Sequence, residues 1–85
     1  MKKNVQRKRV QHAERLYTVI LEPVEEGGYH VYCPALKGCH TEGDTFEEAM
    51  NNIQEAVTAY CESLRKEGEP LPKDELIVVQ RAIGA

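Results

Sequence analysis

The stretch Gly38-Cys-His-Thr-Glu-Gly-Asp-Thr-Phe-Glu-Glu-Ala-Met-Asn-Asn-Ile-Gln-Glu-Ala-Val-Thr-Ala-Tyr60 decides the fold, because it joins a short extended segment to a long amphipathic helix. Asp44 and Thr45 precede an apolar periodicity, and Glu48 follows Thr45 by three residues. That spacing is a capping box: the Thr45 hydroxyl accepts from the Glu48 amide while the Glu48 carboxylate reaches back. Phe46, Ala49, Ile53, Ala56, Val57, Tyr60 and Leu64 then recur at steps of three and four, which places them on one face of a helix. That face must lie on something apolar.

The flanking segments supply it. Leu16 to Glu22 is rich in β-branched and aromatic residues, Pro23 to Gly28 is turn-forming, and Tyr29 to Cys33 resumes the strand composition. This predicts a hairpin whose Glu25-Glu26-Gly27-Gly28 tip uses glycine to reach positive φ. Cys39 to Thr41 is a third, short strand, entered through Pro34 to Gly38. Gly68-Glu-Pro-Leu-Pro72 stops the helix, since proline cannot extend it, and Leu76 to Val79 is a fourth strand. The predicted order is β-β-β-α-β, an α+β fold with a three-stranded antiparallel meander, one long helix and a fourth strand.

The run Tyr17-Thr-Val-Ile-Leu-Glu-Pro, followed by Glu-Glu-Gly-Gly-Tyr29 and by Pro34-x-Leu-x-Gly-Cys-x-Thr-x-Gly-Asp-Thr-x-Glu-Glu-Ala49, resembles the N-terminal domain of HicB-type antitoxins. The resemblance covers roughly residues 16 to 81. It implies a partly degraded ribonuclease-H-like fold and a partner, the small messenger-RNA-cleaving toxin HicA. The chain departs from the family pattern in three places. Ala35-Leu36-Lys37-Gly38 stands where many members have Asp-Leu-Pro-Gly, so a role of that aspartate does not transfer. Only Arg81 to Ala85 follow the fourth strand, too few residues for the DNA-reading module of many members, so promoter binding by that route is not expected. Most members also lack a segment like Met1 to Glu14.

Charge divides the chain. Residues 1 to 15 carry six cations and one carboxylate, whereas the remaining seventy carry five cations and thirteen carboxylates, for a total of −3. An acidic body suits a cationic, RNA-binding partner, because complementary potentials steer encounter. The basic arm, residues 1–14, reads as a disordered leader ahead of a domain spanning 15–85; it has no aromatic residue on which a base would stack. The alternative is a stand-alone oligomeric module that contacts nucleic acid through this arm, or a small ligand at its subunit interface.

Alternation puts Tyr17, Val19 and Leu21 on one face of their strand and Leu16 and Ile20 on the other, with Leu76 and Val78 similarly opposed to Ile77 and Val79. One helix covers one face, so a second apolar face is expected to be buried by another chain, and Leu16, Ile20 and Val78 are the residues that would carry a homodimer or higher homo-oligomer. The alternative cover is the N-terminal segment itself.

The residue types for catalysis do not assemble. Cys39, His40 and Asp44 match a thiol triad in kind, but neighbours on a strand point to opposite faces. Glu22, Glu25 and Glu26 do not supply a two-metal site from separate elements, and Glu47, Glu55 and Glu62 fall on the polar side of the helix. Cys33, Cys39 and Cys61 are an odd number without a scaffold spacing, as in a reducing compartment, and Cys33, Cys39, His30 and His40 lack a zinc-knuckle pattern. No targeting signal or membrane span is evident, so a cytoplasmic protein without catalysis, metal or cofactor is expected. The toxin-facing surface is assigned to Glu22, Glu25, Glu26, Tyr29, His30 and Tyr32, which combine the acidic hairpin with exposed rings.

Overall fold

A computed structural model describes residues 4–74. Strands β1 (Gln6–His12), β2 (Arg15–Pro23), β3 (Tyr29–Tyr32) and β4 (His40–Gly43) form one antiparallel sheet in chain order, and helix α1 (Phe46–Lys66) packs on one side of it. The three strands read from the sequence are β2, β3 and β4. The expected fourth strand, Leu76 to Val79, lies outside the described residues, as does Val78.

The first strand corrects the expectation of a disordered leader. Gln6–His12 pairs with Arg15–Leu21 over seven residues, and the reversal is made by Ala13, whose φ of 55° puts a non-glycine residue in the left-handed region. Gln6–His12 carries three cations and little apolar surface. Alternation resolves the difficulty: Val10 faces the core at 4 % exposure, while the charged residues next to it face water. This segment therefore extends the sheet at its edge and does not cover the open face.

Core residues come from β1, β2, β3, α1 and the loop between β3 and β4. Tyr17, Val19 and Leu21 of β2 and Val31 of β3 meet Ala49, Ile53, Val57 and Cys61 of α1, all fully buried. Cys61 completes the four-residue series of the helix. Leu36 is also fully buried although it belongs to a loop, because that loop is closed by its own backbone: Leu36 donates to the Cys33 carbonyl, Cys39 to Leu36 and Cys33 to Cys39.

The helix start follows the capping box. Thr45 is extended and its hydroxyl accepts from the Glu48 amide at 3.0 Å, while the Glu48 carboxylate accepts from the Asp44 amide. One glycine lets the helix approach the sheet, and another lets the β2–β3 turn approach the end of β4. A Cβ on Gly43 would fall 2.7 Å from the Ala49 Cα, and one on Gly28 would fall 2.7 Å from the Gly43 carbonyl oxygen. At the far end, Gly68 at φ 74° and the bond from the Glu69 amide to the Leu64 carbonyl close the last turn before Pro70. The chain then returns to β2, where the Tyr17 hydroxyl donates to the Pro72 carbonyl at 2.7 Å and the Asp74 carboxylate accepts from the Thr18 amide and hydroxyl.

Candidate functional site: the open face of the sheet

The face away from α1 is polar and aromatic. Register sets two cross-strand rows on it. In one, Arg7 opposes Ile20, Ile20 opposes Tyr32 and Tyr32 opposes His40; in the next, Glu22 and Glu42 flank His30. This corrects the expectation of a second apolar face: Leu16 is 48 % exposed, but Thr18 is buried through its bonds to Asp74, and Ile20 is half-buried between Arg7 and Tyr32 in its row. β2 alone suggests an apolar stripe, and its neighbours change the character of the surface.

Five of the six residues assigned to the toxin surface fall at this face or its rim. Glu22, His30 and Tyr32 stand on the face itself, and Glu25 and Glu26 are exposed in the β2–β3 turn at its edge. The Glu22 carboxylate approaches His30 Nδ1 to 3.9 Å, longer than a hydrogen bond, and the His30 ring lies 6.0 Å from Tyr32 and 5.6 Å from His40 between centroids. Tyr29 is not among them. It alternates with His30 onto the helix side, where its ring meets Phe46 edge to face at 6.0 Å, so it belongs to the packing of the helix start. His40 and Glu42 were not singled out for this surface. Their signal was available in the alternation of a four-residue strand whose Thr41 faces inward opposite Val31.

The turn bearing the acidic pair has the predicted chemistry. Gly27 and Gly28 take φ values of 104° and 87°, and the Gly27 amide donates to the Val24 carbonyl at 3.0 Å. Next to it, Glu42 and Asp44 are exposed on β4 and in the turn that follows. The hairpin tip and the start of the helix thus put Glu25, Glu26, Glu42 and Asp44 at one end of the sheet.

No nucleophile is prepared here. Cys39 is buried while His40 is exposed on the opposite face, and burial raises the Cys39 thiol above its ordinary value. Burial also raises Cys61, and it pushes Cys33 up to about 11. The Tyr17 hydroxyl is pushed up to about 12 by burial and then by the neighbouring Cys61. All three sulfurs are free and buried, the form in which cysteine behaves as a small apolar side chain. Among the described residues no group of three or more His, Cys, Asp or Glu side chains could hold a metal ion, and no helix is long and apolar enough to cross a membrane.

Residues 17–82 match the family model described as the HicB-like antitoxin of bacterial toxin-antitoxin systems. The chain is similar to a UPF0150 protein of Synechocystis sp., with 61% identity over 62 residues that cover 73% of this chain and 78% of that protein. It is similar to a UPF0150 protein of Thermoplasma acidophilum at 53% identity, over 68% of this chain and 84% of the relative. A third relative, Antitoxin HicB 1 of Photorhabdus laumondii subsp. laumondii, is 43% identical over 66% of this chain and 36% of its own length. No solved structure gives a significant match.

Proposed function

We propose, from the premise that this chain belongs to the HicB-like antitoxin family, that it binds a HicA-type messenger-RNA-cleaving toxin and occludes the toxin's RNA-binding surface, without chemistry of its own. The observation that carries this reading is the surface at the hairpin end of the sheet. There Glu22 and Glu42 flank His30, with Glu25 and Glu26 in the turn at the rim and Tyr32 in the adjacent row, so anionic oxygens and flat rings are presented together on a rigid support. An RNA-cleaving protein must display cations for phosphates and open space for bases. A surface offering carboxylates and rings competes for both.

Self-association belongs to the same reading. Leu16 is 48 % exposed, and burying it with the half-buried Ile20 against a second copy would spare a small domain the cost of exposing them. The ribonuclease-H-like fold implied by the resemblance and the cytoplasmic location read from the sequence are part of this proposal.

The experiment is a rate measurement. The doubly reversed variant Glu25→Lys with Glu26→Lys should associate with a purified HicA-type toxin more slowly than the unmodified chain. Raising the salt should shrink the difference, since screening weakens steering between charges more than about 10 Å apart at 0.1 M ionic strength. Equal association rates at low salt would remove the acidic tip from the contact.

A further inference from the structure

The basic N-terminal segment has no Phe, Tyr or Trp, but strand pairing places its arginines on the face that carries Tyr32. Arg7 and Arg9 share the open side of β1, because Val10 and Lys8 point to the helix side, where the Lys8 ammonium lies 5.7 Å from the centre of the Phe46 ring. Arg7 sits two strands from Tyr32 in one row, a distance of about 10 Å across a sheet. Beyond Tyr32 the rings of His30 and His40 continue the surface, and it ends in a hollow of about 410 Å³ against the loop from Cys33 to Cys39. Leu36 and Pro34 line that hollow, together with Lys37.

We propose that this face binds single-stranded RNA, with bases on Tyr32 and the two imidazoles and phosphates on Arg7, Arg9 and Lys37. Three physical requirements meet here. Base faces stack on flat side chains only when they are unpaired, and the hollow is large enough for a nucleobase, so a single strand fits and a duplex does not. Cations lie at both ends of the aromatic row, with Arg7 and Arg9 at one and Lys37 at the other, so a backbone crossing the row meets positive charge on entering and leaving. Glu22 and Glu42 accept hydrogen bonds but cannot donate them when ionised, so beside the rings they repel phosphate and accept from a 2′-hydroxyl. The last point selects ribose over deoxyribose. Because His30 and Tyr32 also belong to the toxin surface proposed above, RNA and toxin exclude one another there. The RNA site is tested on this protein alone and does not depend on that reading.

The test is the fluorescence anisotropy of a labelled oligouridylate of about ten nucleotides, within the span that single-strand sites cover, titrated with the full chain. Saturable binding is expected, tighter than to the oligodeoxyuridylate of equal length. Tyr32→Leu keeps an apolar side chain at a half-buried position but removes the ring, and it should weaken binding roughly 5- to 150-fold, whereas Tyr32→Phe should leave it nearly unchanged. Arg7→Ala with Arg9→Ala should weaken binding and reduce the slope of log affinity against log salt by about 1.4, the loss expected for two single-strand phosphate contacts. Absence of saturable binding below about 100 μM overturns the site. Unchanged binding by Tyr32→Leu overturns the stacking platform, and equal affinity for the two oligonucleotides overturns the assignment to RNA.

Discussion

The carboxylate of Asp74 holds both polar hydrogens of Thr18, accepting from the amide at 2.9 Å and from the hydroxyl at 2.6 Å. Thr18 is 1 % exposed, and its strand neighbours on this side run out where β3 ends at Tyr32. The segment after the helix thus satisfies a stretch of β2 edge that no strand among the described residues covers. Removing the acceptor leaves a buried amide and hydroxyl without a partner, which costs about 1–3 kcal/mol per group. Asp74→Ala should therefore lower the denaturant midpoint clearly, and Thr18→Val should recover part of the loss in the double variant by removing one of the two stranded groups. Identical denaturation curves for the unmodified chain and Asp74→Ala would mean that the contact contributes nothing.

The helix start makes two separable demands. Thr45→Ala removes the cap and should cost about 1 kcal/mol. Gly43→Ala drives a methyl group into the Ala49 backbone, which cannot move without shifting the first turn, so its cost should exceed that of the cap. Thermal melting of the two variants checks the order, and a Gly43→Ala midpoint above that of Thr45→Ala would contradict the close approach.

Deleting residues 1–12 now has a different expected outcome from the trimming of a disordered leader. It removes β1, uncovers one edge of β2 and takes Val10 from the core, an apolar burial of about 1.5–3 kcal/mol by itself. The truncated chain should melt earlier and aggregate more readily. Light scattering during the melt is the measurement, and a truncation as stable as the full chain would restore the reading of a free leader.

Physical reasons separate what the sequence disclosed from what it concealed. The helix was legible because the capping box at Thr45 and Glu48 and the period from Ala49 to Val57 are local signals, and the hairpin was legible because Gly27 and Gly28 mark its tip. β1 was hidden because one apolar residue, Val10, is all that an edge strand with a solvent-facing side must contribute. The burial of Thr18 depends on a residue 56 positions away, and no pattern near Thr18 announces it. Tyr29 is a different case. Its alternation with His30 already placed it beside Val31 on the inner side, so grouping it with the toxin surface set composition above period two.

The buried hydroxyl and thiols give a pH dependence of definite sign. Cys33 and Tyr17 have folded values raised above their ordinary ones, so the folded chain holds more protons than the unfolded chain as the solution becomes alkaline. Their contribution is fully present below pH 9 and is lost as the pH rises, through about 11 for Cys33 and about 12 for Tyr17. Stability measured by denaturant titration should fall over that window. Below pH 9 the folded thiols should react slowly with an aromatic disulfide reagent and quickly once the chain is unfolded; equal rates in both states would contradict their burial.

The most direct test of the antitoxin reading is cleavage of an RNA substrate by a purified HicA-type ribonuclease, titrated with the full chain. The account predicts that cleavage falls in proportion to added protein and stops at a fixed stoichiometry. It also predicts that Glu25→Lys with Glu26→Lys requires higher concentrations for the same effect at low salt. Cleavage that continues at its original rate in the presence of excess protein would contradict the account.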